Sequence, residues 1–177
     1  MKKFFVIAVT TMAMAACSHR SDVKLFPVSD FQTVVDGNEV SIYTLKNADL
    51  TMQVTNFGAR VVSLWTPDRD GNYEDVVLGY NNIESYVNNT GERFLGAVVG
   101  PYANRIAGGT YSIDGDVYNF PQNNNGQTLH GGLKGVDMVV WDVEYVADNA
   151  IQGIDANTVL GHHGVGIFWN VTEWTMQ

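Results

Sequence analysis

A segment bracketed by glycine and proline holds the first two side chains that could do chemistry. It runs Gly100-Pro101-Tyr102-Ala103-Asn104-Arg105-Ile106-Ala107-Gly108-Gly109 after an apolar stretch. The chain is therefore expected to turn sharply and to present Asn104 and Arg105 at the end of a strand. An amide beside a guanidinium can satisfy several sugar hydroxyls at once. The alternative is a surface salt bridge for Arg105 and a turn cap for Asn104.

A histidine stands just before two glycines in the second such segment. The segment reads Asn123-Asn124-Asn125-Gly126-Gln127-Thr128-Leu129-His130-Gly131-Gly132-Leu133-Lys134-Gly135. The glycines leave room for a ligand to approach the backbone closely. The imidazole of His130 can donate or accept a proton near neutral pH, which suits contact with a reacting sugar oxygen. The alternative is a histidine that is hydrogen-bonded within its own loop.

The adjacent pair His162 and His163 is the other candidate for metal or acid–base chemistry. Neighbouring side chains on a strand point to opposite faces, and no cysteine or carboxylate cluster accompanies them in the sequence. We therefore assign no metal site. The formal net charge of −9 also makes the chain a poor partner for phosphate backbones, so no nucleic acid is expected and a neutral small molecule fits better.

Period-two hydrophobic patterns predict an antiparallel all-β domain, a sandwich or a barrel. Asp114-Gly115 between two short strands predicts a hairpin with a type I′ turn, and Trp141 is expected in the core. The helix-like piece is short and lies around Ile83, Tyr86 and Val87. The other predicted strands are residues 39–45, 50–54, 60–65, 75–80, 94–99 as a central strand, and 139–146.

In combination these motifs resemble the aldose 1-epimerases. Asn104-Arg105-Ile106, the Asp114-Gly115 hairpin, the Asn-Asn-Gly run, Leu129-His130-Gly131-Gly132 and Trp141 occur in that family's order and spacing. Asn56-Phe57-Gly58-Ala59 is similar to its early strand pair. The similarity covers roughly residues 26–146, and the joint signal is far more specific than either motif alone.

The resemblance implies the antiparallel β-sandwich of the galactose mutarotase-like type, here incomplete. It implies interconversion of the α and β anomers of free hexoses such as galactose or glucose. Asn104, Arg105 and His130 would bind the substrate, with His130 positioning the sugar. The family's acid histidine and base glutamate lie further along its chain and match no residue here, so we expect an incomplete, inactive fragment.

The alternative function is a non-catalytic, sugar-binding surface lipoprotein, which needs neither the acid nor the base. The chemistry requires no cofactor, and calcium is possible only through the family resemblance. The expected partner is a free hexose, and a monomer is expected.

The N-terminus predicts export. Lys2 and Lys3 precede the uncharged run 4–16, and Met14-Ala15-Ala16-Cys17 resembles a bacterial lipoprotein box. A lipidated Cys17 would anchor the protein in the cell envelope, whereas cleavage after Ala15 would make it periplasmic. The predicted organisation is a signal peptide at 1–16, a tether at 17–25, the sandwich domain at 26–150, and a divergent tail at 151–177, frame-slipped or truncated.

Overall fold

A computed structural model describes residues 22–89, 91–147, 150–155 and 166–170. The predicted signal peptide, Cys17, His162 and His163 lie outside the described residues. In chain order the elements are β1 (Thr33–Val35), β2 (Asn38–Val40), β3 (Ile42–Lys46), β4 (Thr51–Thr55), β5 (Arg60–Pro67), β6 (Tyr73–Asp75), α1 (Ile83–Val87), β7 (Arg105–Ile106), β8 (Thr110–Ile113), β9 (Asp116–Asn119), β10 (Thr128–Leu129), β11 (Trp141–Ala147), β12 (Ala150–Asp155) and β13 (Gly166–Asn170). Short 3₁₀ helices occupy Val28–Phe31, Ala107–Gly109 and Val136–Met138.

Every strand pairing in the described part of the chain is antiparallel, which confirms the predicted all-β class. The largest sheet has the order β3-β4-β5-β6, and a second has the order β11-β12-β13. Three pairs stand apart: β1 with β2, β7 with β10, and β8 with β9. The β7–β10 pair matters most here, because it joins the two segments that carry the candidate site residues.

The buried core consists of side chains from the four-stranded sheet, from the region of β11 and from the segments that pack against them. Leu45, Met52 and Val54 of the four-stranded sheet form one buried cluster, against which Val143 of β11 packs. Trp141 is 1% exposed and packs with Ala59 and Val136, which confirms its predicted place in the core. A larger cluster comprises Phe31, Val40, Ile42, Phe57, Val62, Ile83, Tyr86 and Val140. Burial of these side chains fixes β11 against the four-stranded sheet.

Two local predictions are confirmed. β8 and β9 pair Ile113 with Asp116, and the intervening Asp114 and Gly115 have φ of 52° and 93°, as a type I′ turn requires. The predicted short helix is α1. Its first turn is capped because the Asn82 side chain accepts a hydrogen bond from the backbone N–H of Ser85 at 2.9 Å. None of the helices in the described ranges is long and apolar enough to cross a bilayer.

The predicted central strand at 94–99 is wrong. Gly96 has φ of 63°, and Ala97 N–H donates to the carbonyl of Phe94, so the chain turns there. A Cβ on Gly96 would clash with the carbonyl oxygen of Val61. The segment thus crosses the start of β5 at close range and makes only isolated hydrogen bonds with it. Its apolar character reflects this close packing, and a positive φ is incompatible with an extended strand.

The predicted strand at 75–80 is also wrong, because β6 ends at Asp75. The Asp75 carboxylate accepts hydrogen bonds from the N–H groups of Leu64 at 2.9 Å and Val77 at 3.1 Å. A side chain therefore takes the place of the backbone acceptor that a continuing ladder would supply.

The predicted strand at 39–45 is divided in two at Ser41. The side chain of Asn56 accepts a hydrogen bond from Ser41 N–H at 2.8 Å and donates to the carbonyls of Glu39 and Trp141. These bonds satisfy buried backbone groups between β2 and β3. The Asn56-Phe57-Gly58 motif thus links three parts of the chain through one buried amide.

Candidate functional site

The β7–β10 pair brings the two candidate segments together. Leu129 is opposite Arg105, and Thr128 is opposite Ile106. Ile106 is 9% exposed and Thr128 is 2% exposed, so this pair faces the interior. Because side chains alternate along a strand, Arg105 lies on the outer side of the pair. Arg105 is therefore opposite Leu129, the last residue of β10, and His130 follows Leu129 directly in the chain.

Asn104 and His130 are in direct contact just beyond this pair. The backbone N–H of Asn104 donates to His130 Nδ1 at 2.9 Å, and the backbone N–H of His130 donates to the carbonyl of Asn104 at 3.0 Å. An imidazole nitrogen that accepts a hydrogen bond carries no proton, so neutral His130 is protonated on Nε2. Nε2 has no hydrogen-bond partner among residues 22–89 and 91–143, and it can donate to a ligand oxygen.

Arg105 joins the same hydrogen-bond chain. Its Nε donates to Asn124 Oδ1 at 3.1 Å, and its Nη1 makes a long contact of 3.4 Å with Asn104 Oδ1. Within the part of the chain that the structure describes, Arg105 forms no ion pair, so the surface salt bridge considered from the sequence is not what holds it. Its Nη2 and the Asn104 amide nitrogen keep N–H donors that have no partner in those ranges.

These free donors define what the arrangement can do. Arg105, Asn104 and His130 all present N–H groups, two of the three residues on the exposed surface and His130 half-buried. A cluster of neutral and cationic donors can bind hydroxyl and ring oxygens of an uncharged polyol. Their substrate-binding roles stay predictions, but the structure does bring all three into one connected set.

Asn123 is a site-supporting residue to which the sequence pattern assigned no role of its own. Its side-chain Nδ2 donates to the carbonyls of Leu129 and Gly132 at 3.0 and 3.1 Å, and its Oδ1 accepts from Leu129 N–H at 2.7 Å. The amide thus fixes the chain on both sides of His130. The available signal was an asparagine-rich run before a glycine, which is typical of a turn held by its own side chains.

Gly131 holds the two segments at close range. A Cβ on Gly131 would clash with the carbonyl oxygen of Gly100 and would lie 3.0 Å from Pro101 Cδ. Its φ is 90°, a conformation that only glycine adopts without strain. Gly131 is therefore required both by its backbone conformation and by the backbone that packs on it.

A buried charge cluster lies beneath the site, and no sequence pattern indicated it. Asp137 is 0% exposed and accepts two hydrogen bonds from Arg93, at 2.7 and 2.9 Å. Arg60 is also 0% exposed, with its Nη2 3.7 Å from Asp137 Oδ2. Burial lowers the pKa of the Arg60 guanidinium, and the Asp137 carboxylate opposes that shift.

Arg60 is held by backbone carbonyls and aromatic faces as well. It donates to the carbonyls of Arg93, Leu95 and Asp137, and its Cζ lies 5.7 Å and 5.2 Å from the ring centroids of Phe57 and Tyr86. Its Nε has no partner in the described part of the chain.

A metal ion has no ready ligand set in the described ranges. No group of three or more histidine, cysteine, aspartate or glutamate residues within 22–89 and 91–143 could hold one. No cluster of this kind in that part of the chain supports the calcium ion that the family resemblance allows.

Comparison with known proteins identifies relatives of this chain. The family model described as aldose 1-epimerase matches residues 41–164. A probable aldose 1-epimerase of Arthroderma benhamiae is 42% identical over 118 residues, which are 64% of this chain and 27% of that protein. The galactose mutarotase of Rattus norvegicus is 37% identical over 116 residues, 66% of this chain and 33% of that protein.

A solved structure shares the fold. The GalM/aldose epimerase homologue from C. elegans superposes with a TM-score of 0.60 at 31% identity, covering 65% of this chain and 35% of that chain. This similarity confirms the predicted galactose mutarotase-like fold type. The chain spans a third or less of the length of the two curated relatives. With a family model matched over most of its length, this chain belongs to the aldose 1-epimerase family.

Proposed function

We propose that the outer side of the β7–β10 pair binds a free hexose, and that it is the substrate-binding part of an aldose 1-epimerase. The observation that carries the proposal is the hydrogen-bond chain Arg105–Asn104–His130, whose remaining N–H donors are unpartnered within the described ranges. The relatives named galactose mutarotase support galactose as the sugar to test first. The proposed binding form is a monomer.

The proposed chemistry is ring opening and reclosure at the anomeric carbon. A base takes the proton from the C1 hydroxyl while an acid protonates the ring oxygen, C1 rotates, and the ring closes again. Arg105 and Asn104 would hold hydroxyls, and the Nε2–H of His130 would donate to a sugar oxygen near the reacting centre. The family's acid histidine and base glutamate match no position in these 177 residues. We therefore propose binding without catalysis for this chain.

Galactose titration with Arg105→Ala tests the binding site. We expect saturable binding to the parent chain and affinity lower by roughly tenfold or more in the variant, because hydrogen bonds from a charged donor are lost. Arg69→Ala is the matched control, since Arg69 is exposed in the turn before β6. Equal affinity in all three chains, or no binding at millimolar sugar, would contradict the site.

Polarimetry on the same samples tests the catalytic half of the proposal. The mutarotation rate of galactose is expected to equal the rate in buffer. Binding without catalysis is also what the alternative function, a sugar-binding surface lipoprotein, requires. Catalysis clearly above the buffer rate would exclude that alternative and would contradict the expected inactivity.

We also propose that the protein is exported and anchored through Cys17. The basic start, the apolar run and the Ala-Ala-Cys sequence support this proposal. In a bacterial host, mass spectrometry of the membrane fraction should find a lipid-modified N-terminus at Cys17. The Cys17→Ser variant should be absent from the membrane fraction. A mature N-terminus at Ala16 would instead show ordinary cleavage after Ala15.

A further inference from the structure

Arg93 contacts the His130 loop and the buried interior at the same time. Its Nη1 donates to the carbonyl of Gly132 at 3.1 Å, two residues after His130. Its Nε and Nη2 donate to the two carboxylate oxygens of Asp137 at 2.7 and 2.9 Å. The side chain of Arg93 is 18% exposed. One planar guanidinium thus joins the loop to a buried anchor.

The anchor itself cannot shift easily. Asp137 has no exposed side-chain surface. The Nη2 of Arg60 donates to the Asp137 backbone carbonyl at 3.0 Å. The backbone of Asp137 also lies against Gly58, where an added Cβ would clash with the Asp137 carbonyl oxygen. Because Asp137 is fixed from these directions, its paired oxygens fix the plane of the Arg93 guanidinium as well.

The residue after Arg93 reaches His130 from a second direction. The ring of Phe94 meets the His130 ring edge-on, with centroids 4.7 Å apart and an interplanar angle of 66°. The Cζ of Arg93 lies 4.9 Å from the centroid of the Phe94 ring. Phe94 thus contacts the His130 imidazole, and Arg93 contacts the Gly132 carbonyl of the same loop.

The loop needs such outside support. His130, Gly131 and Gly132 have φ of 52°, 90° and 84°, so three successive residues adopt the left-handed half of conformational space. A histidine in this region is strained, and glycines impose no preference of their own. The Asn123 side chain holds this backbone from within the loop, through the Leu129 and Gly132 carbonyls, and contacts from the rest of the fold add to that support.

We propose that Arg93, clamped on Asp137, is a positioning residue that sets the orientation of the His130 imidazole and of its Nε2–H. It acts through the Gly132 carbonyl and the Phe94 ring and does not itself touch the sugar. The proposal builds on the substrate role proposed for His130, but its test uses no sugar. Failure of sugar binding and failure of this positioning role are therefore separate results.

The test is the state of the His130 ring in Arg93→Met, read from the imidazole ¹⁵N shifts of the full chain. Arg69→Met is the matched control. The parent and the control should show a proton fixed on Nε2, whereas Arg93→Met should show mixed tautomers. Backbone amide exchange at His130 should be faster by on the order of tenfold, while the amides of β4 change by less than about threefold. Arg60 still neutralises Asp137 in this variant, which keeps the core paired.

A second variant covers the case in which Arg93→Met fails to fold. Arg93→Lys keeps a positive charge beside Asp137, but a single ammonium cannot bridge two carboxylate oxygens and a carbonyl in one plane. The His130 ring should change in the same direction. A ring signal identical to the parent in either folded variant would overturn the proposal. Equal acceleration of exchange at His130 and in β4 would also overturn it, because the effect would then be global.

Discussion

Replacing Asp137 by asparagine is expected to lower the free energy of unfolding by about 3–5 kcal/mol, the usual cost of breaking a buried ion pair on one side. The neutral amide would leave the fully buried Arg60 without a counter-charge. The side-chain nitrogen of the asparagine is a donor. It would face the N–H groups of Arg93, which in the parent chain donate to a carboxylate. Urea unfolding of the full chain measures the change.

The matched control for that experiment is Asp36→Asn. Asp36 pairs with Lys134 at 3.0 Å, but the two side chains are 69% and 65% exposed. An exposed pair of this kind contributes about 0–1 kcal/mol, so the control should unfold close to the parent. If the free energy of unfolding falls by less than about 1 kcal/mol for Asp137→Asn, or by equal amounts at both positions, then burial does not determine how much this cluster contributes to stability.

Gly131→Ala is expected to produce the next largest effect, and one that reaches the sugar site. The left-handed φ of 90° costs an alanine about 1–2 kcal/mol, and packing its Cβ against the Gly100 carbonyl adds about 1–3 kcal/mol. Relief of the clash must move the loop away from Gly100. Asn104 and His130 lie on the two segments that would separate, so galactose affinity should fall with the stability.

Gly115→Ala separates backbone strain from crowding. Gly115 has φ of 93°, and nothing lies within 4 Å of a Cβ placed there. Gly115→Ala should lose only the stability that backbone strain costs, about 1–2 kcal/mol, and should bind galactose as the parent does. Urea unfolding and calorimetric titration of both variants make the comparison. Equal destabilisation, or unchanged galactose affinity in folded Gly131→Ala, would contradict close packing at Gly131.

The parts of the fold that depend on local chemistry were predictable from the sequence. The type I′ hairpin follows from Asp114-Gly115, since these residues tolerate the positive φ of that turn. The short helix α1 follows from the spacing of Ile83, Tyr86 and Val87. In both cases the decisive interactions occur within a few residues, where a pattern can report them.

The failed strand predictions share a physical cause. Residues 94–99 are apolar because they pack against β5, yet the positive φ of Gly96 is incompatible with a strand. Residues 39–45 and 75–80 are interrupted by the side chains of Asn56 and Asp75, which satisfy backbone groups in place of a ladder. Hydrophobic periodicity reports burial and cannot report which acceptor a backbone N–H finds.

The candidate site was predictable only in part. The motifs around Asn104-Arg105 and His130 indicated two segments, and the structure brings them together through β7 and β10. The support beneath them was not predictable, because Arg93 and Asp137 are 44 residues apart and neither belongs to a recognisable pattern. A buried ion pair is set by tertiary packing, and that information is not local.

Nuclear magnetic resonance titration of the isotope-labelled chain with galactose tests the proposed hexose site most directly. Sorbitol, an open-chain polyol with similar hydroxyls and no ring, serves as the comparison ligand. We predict saturable shifts at the His130 ring and at the backbone of Asn104 and Arg105 with galactose, and none of this size with sorbitol. Equal responses to both ligands, or galactose shifts confined to other surfaces, would contradict a hexose site at the β7–β10 pair.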